Sequence, residues 1–427
     1  MLQKENERGW ISLKKGLSFM LKKCAVLILS GITAGLLAGQ EPAAAGYLWN
    51  DGAELVRVER TGTSSFYSSR QAILRAAEDA EAQPIPLLTD KQVTPLSGDK
   101  RDYLSMAVDY WPDFNQPEGV PYVLEDGRIN PERDDLEHYD NKRIRVMAEN
   151  LRALSRGYAI SRQEEFAQRA MDILDAWFIT PATRMNPRME YGQVIPEGLS
   201  GTRAGIMDTV VLLDVLDDLE MLQNSSSYTS SRRAALQAWF SAYTDWLRTS
   251  SLGRQMDGAR NQQGVWYDAQ VAAFAHFAGR DGIARDVLQA VPMKRMNQQI
   301  ATDGSLPLEL ARNCPMGCSL SALRGYLTLA RLGDELGVNL YDMKIIRPVL
   351  ETTAAANVPA GAEAAPPKAV KVVPEISLTG AIEYMLPYVR GEKVSEKADA
   401  MPWNADSFIL ALHIANRHYH NPAYELK

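Results

Sequence analysis

Residues 144–158 read IRVMAENLRALSRGY, and apolar side chains recur in this stretch at steps of three and four residues. That spacing places Ile144, Met147, Leu151 and Leu154 on one face of a helix, so it predicts an amphipathic α-helix. Convincing alternating strands are absent from the sequence, and the helical stretches share no short repeated motif. The sequence therefore predicts an all-α toroid of antiparallel helix pairs. The other stretches with a helical period are 166–177, 204–222, 231–249, 265–278, 281–299, 319–336, 378–389 and 405–417.

The composition of the 427 residues is that of an ordinary globular protein, with 46% hydrophobic and 23% charged residues. A chain of this length can bury a sizeable core in one or more domains. The formal net charge of −7 argues against a nucleic-acid partner, because such proteins usually carry a basic surface. Three cysteines are too few for a disulfide-stapled scaffold, and five histidines leave little room for a histidine-rich metal site. We therefore predict no nucleic-acid partner and no metal.

The first 45 residues have the order of features of a secretory signal peptide. Lysines precede an apolar run, CAVLILSGITAGLL at 24–37, and an A-x-A cleavage pattern then precedes Gly46. The apolar run is short for a membrane span, and an uncleaved membrane anchor is the alternative. Met20 is a second possible start of the protein. Cleavage would remove six basic and three acidic residues, which changes the formal charge from −7 to −10. We predict a periplasmic protein of residues 46–427 with no stable membrane insertion after cleavage.

Two stretches of the mature chain interrupt the helical pattern. Residues 103–131 are rich in aromatic residues, aspartate and proline, and they predict an irregular loop. Residues 352–373 are rich in alanine and proline, and they predict a solvated insertion. The rest of 46–427 is predicted to form one toroid domain.

Cys314 and Cys318 are the cysteines that remain after the predicted cleavage. An exported protein meets oxidising conditions, so the two could form a disulfide. The residues between them favour a turn that would bring the two α-carbons within reach of each other. A pair of reduced cysteines is the alternative.

Three segments cluster polar and aromatic side chains where predicted helices meet loops. In the first, Tyr110 and Trp111 can stack on the apolar faces of sugars, while a core position for Trp111 is the alternative. In the second, RNQQGVWYD at 260–268, three consecutive side-chain amides can donate hydrogen bonds to a carboxylate, while a helix cap is the alternative. In the third, LELARN at 308–313, the arginine can pair with an anionic ligand, while a structural salt bridge with the nearby glutamate or another acid is the alternative.

These segments belong to a longer series of strings in which the sequence resembles the alginate lyases that cleave poly-mannuronate. The resemblance covers about 103–388, and it implies a periplasmic protein with an incomplete (α/α) toroid. The strings, in chain order, are YLSMAVDYWPD (103–113), PYVLEDGRINPE (121–132), AWFITPATRMNP (176–187), YGQVIPEG (191–198), GIMDT (205–209), GVWYDAQVAAF (264–274), DGSLPLELAR (303–312) and LARLGDELGVNLY (329–341).

The chemistry of that family is a β-elimination, which removes the C5 proton of a uronate and expels the O4 leaving group. The resemblance implies that an Asn and an Arg neutralise the uronate carboxylate, here Asn261 and Arg312. It also implies that a His or a Tyr takes the proton and that the Tyr returns one to the leaving oxygen, without metal or organic cofactor. The family string N-N-H-G-x-W-Y-D reads NQQGVWYD at 261–268, so Gln263 stands at the His position. Cys318 stands at the Tyr position.

Both proton-transfer positions of the family therefore hold other residues. Gln263 cannot titrate near neutral pH, and Cys318 could transfer a proton only outside a disulfide. Other candidate bases are Tyr110, Tyr191 and His138. The predicted catalytic set is Asn261, Gln263, Arg312, Cys318 and Tyr267. The side chains predicted to bind substrate are Tyr110, Trp111, Tyr191, Gln193, Arg203 and Trp266.

Two functions fit this pattern, and both have an acidic polysaccharide as the partner of a monomeric protein. An active lyase would cleave alginate or another uronate polymer with a rearranged base. A catalytically inactive lyase fold would bind an acidic exopolysaccharide during its export or processing. A scaffold that binds no sugar is the third alternative.

Overall fold

The computed structural model describes residues 48–346, 348–349, 371–372 and 375–426. The predicted signal peptide lies outside the described residues, and so does the predicted insertion apart from Lys371 and Val372. The described residues belong to one unit, Gly46–Lys427. In this part of the chain no helix has the length and apolar character that a membrane crossing needs.

The helices and strands of the described residues are as follows. The α-helices are α1 (Gly52–Thr61), α2 (Arg70–Ala82), α3 (Asn141–Ser161), α4 (Glu164–Leu174), α5 (Leu212–Leu222), α6 (Ser230–Thr249), α7 (Ser251–Asp257), α8 (Gln262–Phe277), α9 (Asp281–Val291), α10 (Asn297–Gln299), α11 (Pro307–Leu310), α12 (Pro315–Leu336), α13 (Leu378–Val389) and α14 (Asp406–Tyr419). The strands are β1 (Leu104–Met106), β2 (Tyr110–Trp111), β3 (Val123–Leu124), β4 (Tyr191–Val194), β5 (Lys344–Ile345), β6 (Pro348–Val349), β7 (Lys371–Val372) and β8 (Ile376–Ser377).

Shorter 3₁₀ and π segments join several of these elements. The 3₁₀ segments are Leu88–Asp90, Pro131–Asp134, Arg203–Val211 and Pro422–Tyr424. The π segments are Asp175–Ile179, which extends α4, and Pro292–Met296, which joins α9 to α10.

The helices form two layers. Helices α5, α8 and α12 are buried on nearly all sides. Together with α3 they form the inner layer. Along this layer α3 packs on α5, α5 on α8, and α8 on α12. The outer helices α2, α4, α6, α9 and α14 each pack against one or more members of the inner layer. This arrangement confirms the predicted all-α toroid of helix pairs.

The starts of three helices show where the structure differs from the sequence prediction. The stretch predicted as helix from residue 204 is a 3₁₀ segment until α5 begins at Leu212. Helix α8 begins at Gln262 rather than at 265, because the Asn261 side chain caps it. Helix α12 begins at Pro315 rather than at 319, since a proline is well suited to the first position of a helix.

Short strands occupy part of 103–131, where the sequence predicted only irregular loop. Strand β1 pairs in parallel with β4, and β2 pairs with β3 in antiparallel fashion, with Trp111 opposite Val123. The Asp208 carboxylate, in the 3₁₀ segment before α5, holds the first pair, because it accepts hydrogen bonds from Ser105 at 2.6 Å and from Gln193 at 2.7 Å. The remaining pairs are β5 with β8 and β6 with β7, both antiparallel.

The first described residues pack into the centre of the toroid. The Asp217 carboxylate on α5 accepts hydrogen bonds from the backbone N–H groups of Leu48, at 2.6 Å, and Trp49, at 2.8 Å. The Trp49 indole donates to the Thr328 hydroxyl on α12 at 2.8 Å. Burial raises the pKa of Asp217 to about 7, against the lowering effect of these donors. The segment that follows the predicted cleavage site is thus part of the core.

Candidate functional site

The start of α8 carries Asn261 and Gln263. The Asn261 side-chain oxygen accepts a hydrogen bond from the backbone N–H of Gln263 at 3.2 Å. This bond uses the acceptor half of the amide, and the NH₂ group of Asn261 donates to no other described residue. Asn261, whose amide is predicted to contact a uronate carboxylate, is therefore also the helix cap. The sequence offered carboxylate binding and helix capping as alternatives, and one side chain can do both.

A buried ion pair holds this helix start in place. The Arg295 guanidinium contacts both carboxylate oxygens of Asp268, at 2.7 and 3.0 Å, and donates to the Ala259 carbonyl at 2.8 Å. Gly264 lies against this arginine, and a Cβ atom at Gly264 would stand 2.3 Å from the Ala259 oxygen and 2.4 Å from Nη1 of Arg295. Only glycine fits there, which gives a packing reason for the glycine in NQQG.

Glu309 on α11 lies beside the start of α8. One carboxylate oxygen accepts a hydrogen bond from the backbone N–H of Gln262, and the other has no hydrogen-bond donor among the described residues. The side chain is 2% exposed, and burial raises its pKa to about 7 against the lowering effects of the Gln262 N–H and of Arg312. The Nη1 atom of Arg312 is 3.8 Å from the free oxygen. A pKa raised to about 7 suits a general base that works near neutral pH.

Arg312 is engaged mainly by Asp126 rather than by Glu309. Its Nη2 atom is 2.6 Å from the Asp126 carboxylate, which also accepts the backbone N–H of Asn313 at 3.1 Å. The side chain of Arg312 is 21% exposed. A uronate carboxylate that reaches Arg312 must therefore share it with Asp126. Arg312 therefore forms the salt bridge that the sequence offered as an alternative. Its closer partner is Asp126, which lies in the loop after β3.

Cys314 and Cys318 form a disulfide, with their α-carbons 5.3 Å apart. The backbone N–H of Cys318 donates to the Cys314 carbonyl at 2.7 Å, so the pair spans the first turn of α12 rather than a loop turn. The Gln262 side-chain amide donates to the Cys318 sulfur at 3.3 Å. A disulfide sulfur carries no titratable proton, so the prediction that Cys318 transfers a proton is wrong.

Replacing both cysteines by serine is expected to lower the free energy of unfolding by about 2 kcal/mol, because a disulfide across so short a loop restricts the unfolded chain modestly. Urea unfolding, followed by circular dichroism with and without a reductant, measures this difference. The double variant is its own control, since the reductant should leave its transition unmoved. An equal transition for the wild type in both conditions would contradict the expectation.

Two residues predicted to act in the cleft lie in the core instead. The Tyr267 ring is buried, its hydroxyl donates to the Leu247 carbonyl at 3.1 Å, and burial raises its pKa well above the usual value. The Trp266 side chain is 2% exposed, and its indole donates to the Ser321 hydroxyl at 3.0 Å. Helix α8 is buried all round, which a helical period alone cannot reveal. The structure therefore contradicts the predictions that Tyr267 is a base and that Trp266 lines the cleft.

The other predicted binding residues lie on β2, on β4 and in the 3₁₀ segment Arg203–Val211. Tyr110 and Trp111 are half-buried on β2, and the guanidinium of Arg128 lies 4.2 Å from the Trp111 ring centroid. Only the opposite face of that indole is free of Arg128. Gln193 is buried and donates to Asp208 at 2.7 Å, so it supports the fold. Sugar contacts of Tyr110, Trp111, Tyr191 and the exposed Arg203 remain predictions.

Comparison with known proteins identifies the family. The sequence model described as "Alginate lyase" matches residues 87–358, which is more than half of the chain. The chain belongs to the alginate lyase family. An alginate lyase from Bacteroides ovatus, solved at 1.60 Å resolution, is 29% identical, covers 89% of this chain and 94% of its own, and superposes with a TM-score of 0.76. No curated protein matches the chain in sequence.

A second solved structure shares the fold at lower similarity. It is a substituted alginate lyase A1-III in complex with a tetrasaccharide, with 13% identity and a TM-score of 0.53. The match covers 90% of this chain and 93% of that one. At this identity the likeness extends to the fold alone. Within the described residues no cluster of three or more histidine, cysteine or acidic side chains is placed to hold a metal ion.

Glu309 is not among the site residues predicted from the sequence. The string LELAR presented it only as a partner for Arg312, three residues further on. That spacing was the one available signal, because side chains three apart share a helix face. Its burial and its contact with Gln262 arise from the packing of α11 against the start of α8, which no local pattern encodes.

Proposed function

We propose that this member of the alginate lyase family is a periplasmic polysaccharide lyase that cleaves a uronate-containing acidic polysaccharide by β-elimination. Glu309 is the proposed proton-transfer residue. The observation that carries this proposal is the buried Glu309 carboxylate between Gln262 and Arg312, whose pKa burial raises to about 7 and whose second oxygen has no donor among the described residues. It lies next to the family's proton-transfer positions, which hold Gln263 and Cys318 here.

The proposed reaction needs one group that first takes and then returns a proton. The ionised Glu309 removes the C5 proton of the uronate, and the electron pair of that C–H bond forms the C4–C5 double bond. The C4–O4 bond breaks with its electrons on O4, which takes the proton from Glu309. One carboxylate can serve both steps only when the C5 proton and O4 lie on the same side of the sugar ring. We therefore expect the preferred substrate to be a uronate with that arrangement.

Charge neutralisation of the substrate is assigned to Asn261 and Arg312. The unused NH₂ group of Asn261 can donate to the uronate carboxylate without adding negative charge. The partly exposed guanidinium of Arg312 can contribute positive charge, although Asp126 shares it. Both would stabilise the enolate-like charge that develops when the C5 proton leaves.

A second candidate function is favoured by the residues at the family's two proton-transfer positions. Gln263 does not titrate, and the sulfur of Cys318 is locked in a disulfide. A protein that kept the cleft and lost the chemistry would bind the same acidic polysaccharide without cleaving it, during export or processing. The two candidates share the ligand and differ in the product.

The test is to incubate the mature protein with poly-mannuronate, poly-guluronate and poly-glucuronate and to follow ultraviolet absorbance. β-Elimination creates a conjugated unsaturated uronate, so absorbance rises only when the bond is broken. Equilibrium binding of each polymer is measured in parallel. The pair Asn261→Ala and Arg312→Ala should weaken binding, while Arg285→Gln on the outer helix α9 serves as the charge-matched control. Binding without any rise in absorbance would favour the non-catalytic candidate, and no binding would exclude both.

A further inference from the structure

Two cavities adjoin one another inside the toroid, with volumes of about 480 Å³ and about 340 Å³. Both volumes fall within the range in which proteins bind small ligands. Trp49, Asp214 and Arg324 line both of them and so form the wall between them. The larger cavity is also lined by Asn50, Phe66, Tyr67, Arg152, Arg156 and Asp406. The smaller is also lined by Tyr103, Arg133, Arg145 and Asp208.

Arg324 differs from the other arginines of the larger cavity in its contacts. Its guanidinium lies 3.9 Å from the Trp49 ring centroid and 5.7 Å from that of Trp266. Within the described chain it donates no hydrogen bond and has no carboxylate at salt-bridge distance. By contrast Arg152 pairs with Asp214, and Arg156 donates to the Asn50 side chain at 2.9 Å. The five N–H donors of the Arg324 guanidinium thus lie between the cavities without an acceptor among the described residues.

The acids near Arg324 are engaged by other groups, favour the neutral form or are exposed. Asp214 is paired with Arg152, and Asp217 is occupied by the backbone N–H groups of Leu48 and Trp49. Asp218 is fully buried with no donor to either oxygen among the described residues, and burial raises its pKa well above the usual range. Burial therefore favours the neutral form of Asp218. The remaining acid of the larger cavity, Asp406, is exposed at the mouth.

We propose that Arg324, held against Trp49, is the centre of a carboxylate-binding site for an acidic sugar, with the sugar ring against the aromatic side chains of the cavity wall. A carboxylate can accept two parallel hydrogen bonds from a guanidinium. Among the described residues, no side-chain carboxylate accepts such bonds from Arg324. Trp49 and Tyr67 line the larger cavity, with the guanidinium of Arg324 over the Trp49 ring and that of Arg156 5.0 Å from the Tyr67 ring centroid, so a sugar would have to meet the part of each ring that the guanidinium leaves uncovered. The ligand class rests on the proposed function.

The position of Arg324 suits a second sugar unit of a longer chain. It lies six residues after Cys318 on the same helix, which corresponds to about 9 Å along the helix axis. An oligosaccharide with one uronate near Glu309 and Arg312 would have to extend by about this distance along α12 to reach Arg324. The site would add affinity for a longer acidic chain without taking part in the chemistry.

The test compares Arg324→Gln with Arg331→Gln, the same substitution on the same helix at a residue that lines neither cavity. The probes are a saturated mannuronate trisaccharide and the neutral cellotriose, measured by isothermal titration calorimetry. We expect Arg324→Gln to weaken trisaccharide binding by roughly 10- to 100-fold, the loss usual for a hydrogen-bonded charged group. Arg331→Gln should bind as the wild type does, and cellotriose should bind none of the three proteins measurably.

A second measurement uses the wild-type protein alone, so it does not depend on how the variant folds. Phenylglyoxal modifies accessible arginines, and mass spectrometry locates the modified residues. The trisaccharide should protect Arg324, and cellotriose should not. Unchanged trisaccharide affinity in a folded Arg324→Gln protein, or no protection, would overturn the Arg324 site. If Arg312→Ala still weakened binding, the proposed function would stand without it. No trisaccharide binding by the wild type would overturn both.

Discussion

Replacing Glu309 by glutamine is expected to lower the rate of β-elimination by roughly 10²- to 10⁴-fold, the contribution usual for a general acid–base group. The change keeps the size of the side chain and its acceptor for the Gln262 N–H, and it removes only the group that titrates. Polymer binding should therefore change little. Initial rates from ultraviolet absorbance and affinities from equilibrium binding separate the two effects.

The same residue predicts opposite responses of activity and stability to pH. The folded protein raises the Glu309 pKa from 4.5 to about 7, so folding favours the protonated form. The stabilisation from Glu309 is complete below about pH 4.5 and is lost as pH rises through 7, with an upper size of about 3 kcal/mol. Activity should rise over the same interval, because only the ionised form takes a proton. Urea unfolding at several pH values measures the stability change.

Glu309→Gln should lose this part of the pH dependence and should be at least as stable as the wild type above pH 7. The matched control is Glu78→Gln on the exposed surface of α2, which should match the wild type in rate and stability. Full activity of a folded Glu309→Gln protein would exclude Glu309 as the proton-transfer residue. Asp217 has a similarly raised pKa, so part of the wild-type dependence should persist in the variant.

Replacing Asp268 by alanine is expected to lower the free energy of unfolding by about 3–5 kcal/mol, the usual cost of leaving one partner of a buried ion pair alone. Asp268 is fully buried, and the Arg295 side chain is 3% exposed. Lys294 is also 3.1 Å from Asp268 and would lose that contact. Urea unfolding followed by circular dichroism measures the change.

The Asp268 variant should also weaken polymer binding, because Arg295 holds the Ala259 carbonyl next to the Asn261 cap. Asp257→Ala is the control, since this aspartate is 43% exposed and its ion pairs should contribute less than about 1 kcal/mol. The double change Asp268→Ala with Arg295→Met should be less destabilising than Asp268→Ala alone, because no charge is left buried without a partner. A loss below about 1 kcal/mol for Asp268→Ala would contradict the role given to the pair.

Part of the candidate site could be derived from the sequence. The strings around 261–268 and 303–312 correctly brought Asn261 and Arg312 into one region, since family strings encode the same packing of α8 and α11. The disulfide was one of two open alternatives, and only the geometry of the first turn of α12 decides it. The pairing of Asp126 with Arg312 spans 186 residues, so no local signal could predict it.

The sequence by itself determined the all-α class, the positions of most helices and the family, because helical period and family strings depend on residues close together in the chain. The tertiary structure alone decided which of those residues face a ligand. Trp266 and Tyr267 look like site residues in the string GVWYDAQ but are buried, whereas Glu309 and Arg324 look like ordinary helix residues. The cause is physical: burial, pKa and free donors depend on neighbours brought by distant segments, such as Trp49 against Arg324.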